Sequence, residues 1–329
     1  MEGPMIVKPE TLLKDLSALW IQLGKEETEG SDRSAGVLRA VTMTFLLGID
    51  EGDEGAGEAL AQLMHEHPSR AIVLKLSKDD SVELEGRAFA QCWMPFGRRQ
   101  QICCEQVELS AGANHFTDTL SLLRGLMAPD LPVVFWCRSS RLFEHPAFVG
   151  IAAFADKVIV DSRTHPDPLK TVKFLNSELK SGHLYGDLTW TRLTHWRETV
   201  ATVFERMDCR AFLGDMNRAE VQYTHMPEPI AVGYLSAWLR STLNDQVAVE
   251  GIYVPADVSW QIQKLRFATP QSEVSIDRTD KGIVEAHIQN FTTRSVFEVL
   301  DEARLVREEL AILGQDPIFA KVVEFASNP

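Results

Sequence analysis

Short β-rich apolar runs recur through the first half of this chain, and segments of helical periodicity separate them. Residues 37–49 (VLRAVTMTFLLGI), 71–76 (AIVLKL), 133–137 (VVFWC) and 157–161 (KVIVD) read as strands. Between them lie a short helix through Leu60, Leu63 and Met64 and a longer one from about Ala113 to Met127. The longer one places Ala113, Phe116, Leu120, Leu123 and Met127 on one face. Strands that alternate with helices pair in a mostly parallel or mixed sheet with the helices on its faces. Residues 87–94 and 101–109 add an antiparallel pair around the loop 95–100.

The ends of this pattern set the domain limits. Residues 11–23 form an amphipathic helix with Leu12, Leu16, Leu19 and Leu23 on its buried face, and the polar, glycine-containing stretch 24–36 reads as a flexible linker. Asp167–Leu179 is a further helix, and near 181–187 the pattern changes. Asp187 is placed to cap a long helix over 188–207. Short strands near 219–225, 248–254, 260–267 and 283–290 then mix with a helix near 229–243. A last helix reads with Ser295 and Glu298 as a capping box and Val299, Ala303, Val306, Leu310 and Leu313 as its stripe. The fold class expected is α/β, more broadly mixed α+β: a terminal helix and linker (1–36), an N-terminal α/β domain (37–183) and a second, α+β C-terminal domain (184–329).

The 329 residues carry 33 Lys and Arg against 47 Asp and Glu, a formal net charge of −14. Nucleic-acid affinity comes largely from cations on phosphates, and anionic lipid attracts basic segments, so this balance argues against both partners. The start MEGPMIVKPE has no apolar signal core and no run of about 18 apolar residues occurs, so a cytoplasmic protein without a membrane span is expected. Five cysteines, with no CxxC, fit neither a disulfide framework nor a zinc site.

Phosphate-loop, dinucleotide, nucleophile-elbow and zinc-protease motifs are all missing, so no catalytic residue, metal site or cofactor is assigned. His65 and His67 would point about 200° apart on a helix, which suits a polar helix end better than a metal pair. Arg70, at the start of a strand, either holds an anion or pairs with a local carboxylate. Arg138, Asp161 and Ser162 also fall at strand ends, where α/β sheets place functional side chains, although Asp161 can equally cap a turn. Hairpin counting sets Cys92 opposite Cys103, a possible redox pair if the geometry allows and otherwise two small buried hydrophobes. The densest segment is 187–198 (DLTWTRLTHWRE). Trp190 and Leu193 share a helical face with Arg197, and Arg192 and Trp196 stand four residues apart, so that guanidinium can stack on indole. Trp190, Arg192, Trp196 and Arg197 are therefore candidates either for a partner interface or for the helix's own buried face.

In six segments the chain resembles the glucose-6-phosphate dehydrogenase assembly protein (OpcA) family: HPSRAIVL (67–74), CCEQVEL (103–109), PDLPVVFWCR (129–138), DKVIVDS (156–162), DLTWTRLTHWRE (187–198) and YLSAWLRSTL (234–243). They span about 35–245, with the last third looser. The resemblance implies a two-part, non-catalytic protein whose partner is glucose-6-phosphate dehydrogenase, acting as an assembly factor or allosteric activator and supporting the pentose phosphate pathway and NADPH supply. It supplies no catalytic residue to carry over. A second reading, a nucleotide- or sugar-phosphate-binding α/β enzyme, rests on the polar strand ends at Arg70, Arg138 and Asp161.

Overall fold

The structure is a computed structural model that describes residues 7–30, 38–93, 102–205, 212–243, 246–280, 282–288 and 291–327, without the side chains of 23–30, 38–39, 91–93, 102 and 280. The chain divides into two compact units, Met1–Val160 and Asp161–Pro329.

In the first unit the apolar runs form β2 (Met43–Asp50), β3 (Ser69–Leu76), β6 (Val133–Cys137) and β7 (Lys157–Val160), all parallel. β1 (Leu38–Arg39) and β5 (Ile102–Ala111) join the same sheet in the order β1-β5-β3-β2-β6-β7. β2, β3, β6 and β7 are buried almost end to end, as continuous apolar strands covered on both faces must be. β4 (Glu85–Trp93) pairs antiparallel with β5, and the register sets Cys92 against Cys103 as counting predicts. Cys103 is buried and disulfide-bonded, while the side chain of Cys92 lies outside the described residues; the redox behaviour of the pair stays an expectation. Cys104 and Cys137 are free and buried.

Helices of this unit are α1 (Pro9–Gly30), α2 (Gly55–Glu66), α3 (Thr119–Leu126), α4 (Ser140–Glu144) and α5 (Ala147–Ala152). α1 buries Leu12 and Leu16 and packs on β4 and α3. It continues to Gly30, so the linker expected from residue 24 is helical in its first half, and residues 31–37 lie outside the described ones. The reason is composition: Lys25, Glu26, Glu27 and Glu29 are good helix formers even without an apolar face.

The second unit begins with α6 (Pro168–Lys180), started by Pro168 and by Asp167, whose Oδ1 accepts the Lys170 N–H at 2.9 Å. β8 (Tyr185–Asp187), α7 (Leu188–Thr191) and α8 (Thr194–Glu205) follow. The single helix expected over 188–207 is thus broken at Arg192–Leu193. A six-stranded sheet has the order β10-β9-β11-β12-β13-β14. It comprises β9 (Arg218–Tyr223), β10 (Ala248–Tyr253), β11 (Ile262–Ala268), β12 (Glu273–Asp280), β13 (Ile283–Ile288) and β14 (Phe291–Val296). Only β9 and β10 pair in parallel. α9 (Ile230–Thr242) and α6 both pack on α11 (Pro317–Ala326), and α10 (Glu302–Ala311) lies against α7.

Two expectations fail here. β12 and β14 were not read as strands. The helix expected to start at the Ser295–Glu298 box begins instead at Glu302, where Asp301 Oδ1 accepts the Arg304 N–H at 2.8 Å. Ser295 is held in β14 opposite Val284, and Val299 and Leu313 of the expected stripe are 65% and 94% exposed. Strand pairing takes Ser295's backbone before a helix can. The compact units divide at Val160/Asp161, and the domain limit at 183/184 stays an expectation. Residues 161–183 belong to the second unit because Asp161 and Ser162 bond to Arg192 and Thr189, and α6 packs on α11.

Candidate functional site

The segment 187–198 builds a buried polar cluster with residues from four other places in the second unit. Asp187 caps α7: its Oδ1 accepts the N–H of Thr189 at 2.9 Å and that of Ser162 at 3.1 Å. Its Oδ2 accepts the Tyr234 hydroxyl at 2.8 Å. Burial, and then the charge of Asp161, pushes the Asp187 carboxyl up to about 6, and burial beside Asp187 pushes the Tyr234 phenol well up as well. The Thr189 hydroxyl donates to Asp161 Oδ1 at 3.0 Å and accepts from Ser162 Oγ at 3.0 Å.

Arg192 closes the cluster. Its Nη1 and Nη2 donate to Asp161 Oδ1 and Oδ2, both at 2.8 Å, a two-pronged pair. Burial alone would raise the Asp161 carboxyl, but the Arg192 charge and hydrogen bonds outweigh it and hold the pKa below its usual value. Asp161 therefore neither caps a turn nor stands ready as a base.

The tryptophans turn inward. Trp190 is 2% exposed, stacks on Phe319 at 5.9 Å and donates its indole N–H to Asp316 Oδ2 at 3.2 Å. The Arg197 guanidinium lies 3.6 Å over the Trp190 ring, and burial lowers its pKa to about 10. The helical-face reading of Trp190 with Arg197 corresponds to this contact. The spacing reading of Arg192 on Trp196 does not, because Arg192 is drawn to Asp161. Trp196, 3% exposed, meets Phe297 edge-on at 5.3 Å. Thr191 Oγ1 donates to the buried Glu309 at 2.6 Å.

Arg70 and Arg138 belong to the first unit. Arg70 Nε donates to Glu105 Oε2 at 2.6 Å and its Nη1 to the Leu126 carbonyl at 2.8 Å, with both side chains buried. The local carboxylate, not an external anion, has it. Arg138 pairs with Asp53 at 3.0 Å. Among the described residues no group of three or more His, Cys, Asp and Glu is placed to hold a metal ion, and no helix is long and apolar enough to cross a membrane.

Next to the cluster opens a cavity of about 710 Å³, lined among others by Arg163, Arg192, Arg278, Trp196, Trp260 and Phe297. The Arg278 guanidinium sits 5.0 Å from the Trp260 ring centre and 4.7 Å from that of Phe297. Sequence reading named Arg192 and Trp196 but missed Arg163, Trp260, Arg278 and Phe297, and also Tyr234, Glu309 and Asp316. They come from distant strands and helices and show no local spacing, whereas Asp187 as a helix cap and the Trp190–Arg197 face are local patterns.

Comparison with known proteins adds lineage. Residues 61–177 match the model of a domain family described as the glucose-6-phosphate dehydrogenase subunit N-terminal domain. Residues 184–323 match that of the corresponding C-terminal domain. A Synechocystis protein that carries the name OxPP cycle protein OpcA is 27% identical over 220 residues, which cover 66% of this chain and 45% of that protein. A Nostoc punctiforme protein of the same name is 26% identical over 241 residues, 72% of this chain and 49% of that one. The chain thus spans about half the length of the curated relatives it matches. A solved NADP complex of KijD10, a 3-ketoreductase from Actinomadura kijaniata, aligns with 86% of this chain and 95% of its own at 11% identity and a TM-score of 0.47, a likeness too slight to carry any argument about chemistry.

Proposed function

The chain belongs to the OpcA family, and from that premise we propose that it is a non-catalytic partner of glucose-6-phosphate dehydrogenase that promotes the enzyme's assembly or active conformation. In that role it supports the oxidative pentose phosphate pathway and NADPH supply, in the cytoplasm. The observation that carries the reading is the ordered pair of domain matches, 61–177 then 184–323, both to domains described as parts of a glucose-6-phosphate dehydrogenase subunit. Among the described residues, Asp161, Asp187 and Arg70, which fall where an α/β enzyme could place its chemistry, are each held by internal partners. Such a protein acts by binding the active state of its partner more tightly than the inactive state, with a coupling of about 1–3 kcal/mol typical of allostery. Sedimentation of the chain mixed with the dehydrogenase from the same source tests the first step. A heavier joint species is expected; two species that sediment independently at micromolar concentration overturn the proposal.

A further inference from the structure

We propose that β14 is the docking edge for a second copy of this chain, the two β14 strands pairing antiparallel across a twofold axis so that the sheet of the second unit continues from one protomer into its partner.

β14 ends its sheet and keeps one register with β13, without a bulge, from Phe291 to Val296. The next residue, Phe297, donates its N–H to the Gly282 carbonyl at 2.8 Å, so that pair is a bonded one. Bonded pairs alternate along an antiparallel ladder. Ser295, Thr293 and Phe291 therefore turn their N–H and C=O groups toward β13, and Thr292, Arg294 and Val296 turn theirs outward. Among the described residues no hydrogen bond reaches these outward groups. Sheet edges are ordinarily blunted by a lysine, a proline, a bulge or a covering group. β14 carries no lysine, no proline and no bulge. The other edge of the sheet differs: the Val249 carbonyl of β10 accepts from Arg240 Nη2 at 3.2 Å, and α9 packs on that strand.

The strand also fits itself. Antiparallel pairing centred on Arg294 sets Thr292 opposite the partner's Val296 and Thr293 opposite the partner's Ser295, and the reverse pairs follow by symmetry. Side chains with a branched β-carbon pack well across strands, and paired hydroxyls hydrogen-bond. The outward N–H and C=O groups of Thr292, Arg294 and Val296 then meet their complements. Val296, 84% exposed in the single chain, gains cover. Arg294 faces the partner's Arg294, but each guanidinium arrives with its own Glu285, whose Oε1 accepts from Arg294 Nε at 2.6 Å, so the row of charges is neutral. This match about Arg294 selects a copy of the chain over an unrelated strand.

The inference goes beyond the dehydrogenase-partner role, and its test uses the full chain with no dehydrogenase present, so either can fail without the other. Sedimentation velocity across about 1–100 μM is expected to show a monomer–dimer equilibrium, since one strand pair makes a small interface. Backbone amide exchange followed by NMR is expected to slow at Thr292, Arg294 and Val296 as the dimer forms. The amides of Thr293 and Ser295, bonded to β13, stay protected throughout. Thr292→Pro removes an outward N–H and leaves the bonds to β13 in place. It is expected to weaken dimerisation about tenfold or more, with an unchanged circular dichroism spectrum; if this variant does not fold, the exchange pattern of the wild type decides. A chain that stays monomeric up to about 100 μM, a dimer whose outward amides exchange as fast as in the monomer, or a folded Thr292→Pro variant that dimerises like the wild type overturns the proposal.

Discussion

Asp187 and Asp161 lie in one buried cluster and titrate in opposite senses. Asp187 is raised to about 6 by burial and by Asp161, while the unfolded chain releases that proton near ~4. Its contribution to stability is therefore whole below ~4 and is lost as pH rises through about 6. Asp161 is lowered, so its contribution is present above the ordinary carboxylate range and is lost as pH falls through its folded value. In Asp187→Asn the first slope disappears. Between pH 4 and 7 the wild type is expected to lose on the order of 2–3 kcal/mol relative to this variant in urea unfolding; parallel pH profiles contradict the assignment. Tyr234→Phe removes the hydroxyl that donates to Asp187 Oδ2 and leaves that oxygen buried without its donor. The expected cost at pH 7 is about 1–3 kcal/mol, read from the shift in the urea midpoint, and an unshifted midpoint contradicts it. Sequence reading could reach Asp187 because a cap is local, two residues from Thr189. It could not reach Tyr234, 47 residues away, or Glu309, because the pairing is made only by the fold.

At the scale of elements, legibility followed how much each one depends on its neighbours. β2, β3, β6 and β7 are continuous apolar runs, and α6 and α9 carry their own caps or apolar faces, so each was readable by itself. β12 (EVSIDRTD) and β14 (FTTRSV) alternate or expose their side chains and are held by pairing with β13, a long-range fact. The start of α10 was misplaced for the same reason, since β14 claims Ser295 and the local cap is Asp301. Asp316 offers a test of coupling between elements. Its Oδ1 accepts the N–H groups of Ile318 and Phe319 at the start of α11, and its Oδ2 accepts the Trp190 indole N–H. Asp301 serves as a cap for α10. Asp301→Ala is expected to cost about 1 kcal/mol, as an ordinary lost cap does. Asp316→Ala is expected to cost about 2 kcal/mol, because a side-chain hydrogen bond goes with the cap. Equal losses in chemical denaturation would show that the Trp190 tie adds nothing.

For the whole molecule, the inward turn of the tryptophans relocates the search for a partner surface. Trp190 and Trp196 are buried, so truncating Trp190 opens a cavity that should cost about 3–5 kcal/mol and should abolish any partner effect through loss of the folded second unit. A Trp190→Ala chain that keeps its stability but fails to bind would instead mark a direct contact. The charge of −14 bears on the encounter. If a basic face of the partner receives it, association slows as salt rises, whereas a salt-independent on-rate leaves the charge to solubility. The central claim is that this chain changes the dehydrogenase and performs no chemistry itself. Initial-rate kinetics of purified glucose-6-phosphate dehydrogenase, titrated with the full chain, test it most directly. The account predicts a saturable rise in kcat/KM of about 5–150-fold, the range of ordinary allosteric coupling, with no NADPH formed by the chain alone. Unchanged kinetics at saturating chain, or NADPH production without the dehydrogenase, would contradict it.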